Sequence, residues 1–301
     1  MSVQYIDAIK LPTELDEADY VLDFVGPDHP KANPKMRMTS YADNVYPFGV
    51  FGPRVSGEIK FAPITIFCGG NGSGKSTLLH VLAEKMSLSS ASPFNKTPHF
   101  DEYVSKCGVR LAYGRKVPDS SSIIVSDDVF DRMLSRRRRN DDIDVRRQEL
   151  SDEYFALRKE ETVLLKSLDG KDVARFERKN AANRKTPSRF IADLLGPLEV
   201  SGGSNGQEAI DYFVSHITDG ALHLLDEPEN SLSPRRQLEL LSFIEESVRF
   251  YDCQFVIATH SPFLLSLRGA LIYDLDESPI CTKRYRDLDC VNVYREFFET
   301  H

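Results

Sequence analysis

The chain has 301 residues, enough for one large α/β domain or for one domain with a sizeable insertion. Apolar content of 41% and charged content of 28% are ordinary for a globular protein, and no apolar run approaches the length of a membrane span. A net charge of −8 argues against a protein that coats nucleic acid along its whole surface.

Residues 1–60 read as short strands and turns. "VQYIDAIKL" alternates, "YVLDFV" (20–25) is an apolar strand candidate, and "HPKANP" and "YPFGVFGPRVSG" are loops rich in Pro and Gly. "GEIKFAPITIFCGG" predicts a strand pair running into a glycine-rich loop, and "KSTLLHVLAEKM" has helical spacing. Residues 87–120 read as irregular, and "SSIIVS" (121–126) as a short strand. From about 128 to 190 the composition turns densely charged. Sparse apolar positions at helical spacing, Leu150, Tyr154 and Leu157, then Leu164, Leu165 and Leu168, predict one or two exposed helices turning near "LDGKD". Residues 131–190 carry 17 Lys and Arg against 12 Asp and Glu, or +5; the remainder carries 21 against 34, or −13. After this insertion come a loop and helix (200–217), a buried strand "GALHLLDEP", an amphipathic helix "SPRRQLELLSFIEESVRF", a second buried strand "CQFVIATHS" and a shorter one, "ALIYDLD". Strands alternating with helices predict a mostly parallel sheet. The five cysteines are scattered and form no C-x-x-C pair, as expected for reduced, packed thiols. The opening "MSVQYIDAIKLP" has no charged-then-apolar leader, so a cytoplasmic location is the expectation.

Four stretches carry chemistry. The first, "GGNGSGKST", fits G-x-x-x-x-G-K-S from Gly69 to Ser76. Backbone N–H groups of Gly70, Asn71, Gly72, Ser73 and Gly74 can turn inward on phosphate oxygens, helped by the positive end of the following helix. Lys75 would reach the β- and γ-phosphates, and Ser76, with Thr77 beside it, would present a hydroxyl to Mg²⁺. The second, "ALHLLDEPENSLSP", is a buried strand ending in two acids. Asp226 would hold Mg²⁺, and Glu227 would act as general base on water. Third, "FVIATHSPFLL" puts His260 34 residues after Asp226, at the end of a neighbouring strand and within reach of a γ-phosphate. Fourth, "VSGGSNGQEAIDYF" offers Ser204, Gly206 and Gln207 at a helix N-terminus, a place for phosphate presented by a second subunit.

In this order the four motifs resemble those of the ATP-binding-cassette ATPases: Walker A, signature, Walker B with its glutamate, and the switch-histidine loop, with "NSLSP" similar to the D-loop. "DEPENSLSP" and "IATHSPFLL" resemble the SMC/RecF-like and overcoming-lysogenisation-type heads, in particular small stand-alone bacterial ATPases of that branch. The resemblance implies a P-loop head with a mostly parallel sheet, flanking antiparallel strands and a charged helical insertion, the core being 1–127 and 191–301 and the insertion 128–190. It also implies a head-to-tail homodimer closed on two ATP molecules, each lying between Lys75 of one copy and 204–207 of the other.

The family's usual glutamine at a strand end after Walker A has no counterpart, since Gln148 lies inside the basic helical stretch. Asp128, Asp127 or Asn95 could stand in as a metal contact, with Asp128 preferred. Tyr46, Phe48 and Phe51, upstream of the loop, are the candidates to stack on adenine, with core packing the preferred reading of each. The basic insertion, with arginines at 136–139, could contact a phosphate backbone, dock a partner protein or simply be a solvated face. About 60 residues in two helices reach only about 45 Å, too short for a long coiled-coil arm. Two functions follow. One is an Mg²⁺-dependent ATPase that switches DNA or a partner effector, in repair or anti-phage defence. The other is a regulatory ATP sensor with very slow turnover that holds a separate nuclease or toxin. The motor subunit of a membrane transporter fits the charged insertion less well.

Overall fold

The computed structural model describes residues 3–25, 45–55, 57–92, 94, 96–159, 170–195 and 205–301. These part into two compact units, 1–130 with 205–301, and 131–204.

The larger unit holds two sheets. Strands β1 (Ile6–Lys10), β2 (Glu58–Lys60) and β5 (Gly108–Leu111) form an antiparallel sheet in the order β2-β1-β5. The main sheet has seven strands. They are β3 (Ile64–Cys68), β4 (Ser89–Ser90), β6 (Ser122–Val125), β7 (Leu222–Asp226), β8 (Gln254–Ala258), β9 (Leu271–Asp274) and β10 (Cys281–Thr282), in the order β10-β9-β3-β8-β7-β6-β4. All its pairings are parallel except β9 with β10. The mostly parallel α/β sheet with flanking antiparallel strands is therefore the fold of this chain. Strands β3, β7 and β8 are buried at every residue, as the centre of a parallel sheet covered on both faces must be. Helix α2 (Lys75–Lys85) packs Leu78, Leu79, Val81 and Leu82 into the core with these strands. Gln254, fully buried, ties the two sheets together. Its Oε1 accepts from the amides of Tyr5 and Ile6 at 2.7 and 3.0 Å, and its Nε2 donates to the carbonyls of Ile6 and Ala62 at 3.0 and 3.1 Å. All four of its hydrogen-bonding capacities are used, which is what a buried amide requires.

Three local expectations change. "YVLDFV" is the end of helix α1 (Glu14–Val25), not a strand. The helix starts on a capping box in which Asp16 accepts from the amide and hydroxyl of Thr13 at 2.9 and 2.8 Å, and that start signal outweighs the apolar run. The strand pair before the glycine loop is β2 and β3, which do not pair with each other. One lies in the small sheet and the other at the centre of the large one. Residues 87–120 contain β4, β5 and helix α3 (Phe100–Lys106), whose Phe100, Tyr103 and Val104 are buried at helical spacing in an element too short to stand out.

The smaller unit is helical. Helix α4 (Ser126–Lys159) runs into it, followed by α5 (Gly170–Arg184) and α6 (Pro187–Leu195). Tyr154, Leu157, Ala182 and Phe190 make its core, and the Tyr154 hydroxyl donates to the carbonyl of Lys185 at 3.0 Å. Leu150, Tyr154 and Leu157, the apolar positions expected to be inward, are buried. Leu164, Leu165 and Leu168 lie outside the described residues. Ion pairs Arg178–Glu153 and Lys185–Asp193 are exposed and contribute little. The chain resumes with α7 (Asn205–His216), α8 (Pro234–Phe250) and α9 (Asp289–Thr300). Among the described residues no helix is long and apolar enough to cross a membrane.

Candidate nucleotide-phosphate site

The parallel strands converge on one edge. The glycine loop leaves β3 there, Asp226 ends β7, and His260 follows β8, whose Ala258 pairs with Asp226. Crevices at the carboxyl ends of parallel strands are where such sheets bind ligands. The loop at 69–74 closes tightly enough to require glycine at position 74. Its φ is 101°, and a Cβ there would stand 2.8 Å from the Phe51 ring. Arg54 braces the loop from outside, donating to the carbonyls of Ser73 and Leu275 at 2.9 and 2.7 Å. Asp276 accepts from the amide of Gly70 at 2.7 Å.

Lys75 opens α2 and is 4% exposed. Its ammonium donates to the carbonyls of Gly69 and Gly70 at 3.0 and 3.1 Å and stands 3.9 Å from Glu227. The Ser76 hydroxyl donates to Asp226 at 3.0 Å. Burial pushes the Asp226 carboxyl up to about 6; the charges of Glu227 and Glu229 add to the rise, and the Ser76 bond and Lys75 oppose it. Glu227 sits in the left-handed region, φ 47° and ψ 51°, a sparsely populated conformation for a residue with a Cβ. Its amide donates to Ala258, and its carboxylate accepts from Asn230 Nδ2, both at 2.9 Å. His260 Nε2 lies 3.5 Å from Glu227 Oε1 and makes no hydrogen bond, although it is buried.

A cavity of about 340 Å³ is lined by Lys75, Ser76, Thr77, Asn71, Glu227 and Tyr46, with Val50, Gly72 and Gly74. Tyr46, expected in the core, is only half-buried and hydrogen-bonds Thr77 at the cavity wall, whereas Phe48 and Phe51 are buried as expected. Sequence spacing gives no hint of this, because Tyr46 meets the loop only through the fold. A larger depression of about 600 Å³ along α8 contains none of these residues.

The remaining site candidates lie elsewhere. Gly206 and Gln207 are in the first turn of α7, and Gln207 donates to Asp211 at 2.9 Å. Gln207 is not among the residues that line the cavity. Ser204 lies outside the described residues. Asp128 is in the first turn of α4, where one carboxylate oxygen accepts from the Val125 amide at 3.1 Å and the other is buried without a hydrogen bond. Asp127 is exposed, and Asn95 lies outside the described residues.

The donors at the cavity mouth suit Mg²⁺. Ser76 and Asp226 present hard oxygens already in contact, and Mg²⁺ takes few protein ligands, completing its shell with phosphate and water. Among the described residues no cluster of three or more His, Cys, Asp or Glu offers an all-protein metal cage. Replacing Lys75 with Ala should weaken nucleotide binding on the order of 10–100-fold, the worth of a charge-assisted hydrogen bond to phosphate. Fluorescent-nucleotide titration checks it, and unchanged affinity would place the phosphates elsewhere.

Residues 188–266 match the family described as "AAA domain, putative AbiEii toxin, Type IV TA system". No curated protein matches. Two solved structures are similar at low identity. One is the Smc head domain from Pyrococcus furiosus, with an extended coiled coil bound to the C-terminal domain of ScpA. It is 13% identical, with a TM-score of 0.38, over 80% of this chain and 95% of that one. The other is an inward-facing "putative metal-chelate type ABC transporter", 14% identical, TM-score 0.35, over 77% and 76%. The stretch matched, 188–266, contains Asp226, Glu227 and His260, the acids and the histidine at the ends of β7 and β8.

Proposed function

We propose that the protein binds ATP with Mg²⁺ in this cavity, hydrolyses it, and uses the cycle to close and open a head-to-tail homodimer that acts on DNA or a partner effector. The observation that carries the reading is the meeting of four groups 150 residues apart in sequence: Ser76 on Asp226 at 3.0 Å, and Lys75 beside Glu227 at 3.9 Å.

Each group has a task that its position supports. The amides of 70–74 and the Lys75 ammonium hold the phosphates. Lys75 donates its hydrogen bonds to the carbonyls of Gly69 and Gly70, which phosphate oxygens can displace. Ser76 and Asp226 would hold Mg²⁺, which would supply neutralising charge on the phosphate oxygens. Glu227, kept in place by Asn230, takes the proton of the attacking water. His260, whose Nε2 stands 3.5 Å from Glu227 Oε1, would reach the γ-phosphate once nucleotide is bound.

Dimerisation completes the site. The resemblance gives the signature residues 204–207 to the second copy, whose helix N-terminus would face the γ-phosphate. With ATP, the Glu227→Gln form should run at twice the monomer mass in a light-scattering measurement. A persistent monomer counts against the sandwich. A protein that spends ATP works inside the cell, where ATP is.

The basic insertion is the output. Its excess of positive charge on an otherwise acidic chain suits a phosphate backbone or an acidic partner surface. Neutralising arginines 136–139 should weaken DNA binding and flatten its salt dependence. Unchanged affinity and slope would assign the insertion to a protein partner instead. A role of the repair or anti-phage-defence kind is in keeping with the resemblance and with the family match over 188–266.

A further inference from the structure

We propose that Glu229 is a positioning residue of the hydrolytic site: its carboxylate fixes the loop after β8 so that His260 stands beside Glu227. The proposal rests on the ATPase reading and deepens it.

Glu229 lies in the 3-10 turn Pro228–Ser231, two residues past Glu227. Its Oε1 accepts three hydrogen bonds from the other loop, from the Thr259 hydroxyl at 2.7 Å, the His260 amide at 2.6 Å and the Ser261 amide at 3.1 Å. Hydrogen bonds to a carboxylate are among the strong ones, and Thr259 and Ser261 are buried, so little water competes for them. Two of the three donors are backbone amides. The bonds therefore fix the path of the chain at His260 itself, not merely a side chain.

The same turn holds the other member of the pair. Asn230, next to Glu229, donates to Glu227 Oε2 at 2.9 Å. A second brace runs parallel: the Ser261 hydroxyl donates to Gln237 at 2.6 Å, and Gln237 Nε2 donates to the carbonyl of Leu232 at 3.0 Å. Glu227 and His260 are thus held by one turn, and their 3.5 Å separation is set by Glu229 on one side and Asn230 on the other. The carboxylate uses one oxygen for all three bonds. Oε2 is buried and takes no part in them. All three bonds of Glu229 Oε1 go to the loop that carries His260, so it acts through His260.

The test is a double-mutant cycle. Mg-ATP turnover and nucleotide affinity are measured for the wild type, Glu229→Ala, Glu229→Gln, His260→Ala and Glu229→Ala with His260→Ala. Glu229→Ala should lower kcat about 10²-fold, the loss that an ångström-scale misplacement brings, with nucleotide affinity little changed. Glu229→Gln keeps an acceptor oxygen and should recover most of the rate. With His260 already gone, Glu229→Ala should cost little more, because both changes remove the same group from its place. Full additivity of the two losses, or a wild-type kcat in Glu229→Ala, overturns the proposal while leaving the ATPase reading intact. A wild type without turnover overturns that reading itself, and the role of Glu229 with it. If Glu229→Ala does not melt as a folded protein, Thr259→Val removes one of the three donors. It should lower kcat non-additively with His260→Ala, and additivity there is equally fatal.

Discussion

Glu227→Gln should bind Mg-ATP as the wild type does and hydrolyse it 10²–10⁴-fold more slowly, the usual worth of a positioned general base. The substitution is close to isosteric. A glutamine keeps an oxygen for Asn230 Nδ2, and its backbone can hold the same left-handed geometry that Glu227 already tolerates. What it removes is the basic oxygen that faces Lys75 and His260 at 3.9 and 3.5 Å. Binding and chemistry should therefore separate cleanly, with nucleotide affinity read by titration and turnover by phosphate release. A matching fall in affinity would mean that Glu227 holds nucleotide and does not activate water.

Asp226→Asn should have opposite effects on stability and on function. The Asp226 carboxyl is 8% exposed and its affinity for a proton is raised, from an ordinary 3.8 to about 6, chiefly by burial. The folded chain thus holds that proton more tightly than the unfolded chain does. Stability without ligand falls as pH climbs from about 4 to about 6, and stays at the lower level above that. At neutral pH the charged acid costs on the order of 1–3 kcal/mol, at about 1.4 kcal/mol per unit of pKa. An asparagine still accepts the Ser76 hydroxyl and escapes this cost. Ligand-free Asp226→Asn should melt several degrees above the wild type at pH 7 and lose the pH dependence between 4 and 6. Adding Mg-ATP should reverse the order, because the wild type gains binding stabilisation that the variant lacks. Differential scanning at pH 5 and pH 7, with and without Mg-ATP, tests both halves. A variant less stable than the wild type at pH 7 would mean that the acid is paid for by contacts beyond Ser76 and Lys75.

The candidate site was legible where the signal is local. The glycine spacing of 69–76, the two acids closing an apolar run at 226–227 and the histidine ending another at 260 are each contained in a dozen residues. The order of motifs then brings three strand ends together, and parallel pairing of β7 with β8 does place Ala258 against Asp226. The bracing was not legible. Glu229 meets 259–261 across about 30 residues of chain, and Tyr46 meets Thr77 across 31, contacts that exist only once the sheet has formed. Local signals also compete. The apolar run at 20–25 looked like a strand because the capping box that makes it a helix lies seven residues upstream, at Thr13 and Asp16. Residues 57–68 read as a strand pair, but β2 is exposed, buried and exposed in turn while β3 is buried throughout, and the two lie in different sheets. The insertion was readable as helix because Leu150, Tyr154 and Leu157 keep helical spacing, but its charge pattern does not name what it touches.

The central claim is that ATP is hydrolysed in the cavity bounded by Lys75, Ser76 and Glu227, with Mg²⁺ at Ser76 and Asp226. Phosphate release from ATP by the purified wild type, measured with Mg²⁺ and with a chelator beside Lys75→Ala, tests it most directly. The account expects release that needs Mg²⁺ and disappears in Lys75→Ala. No release at all, with DNA present or absent, or equal release from Lys75→Ala, would contradict it.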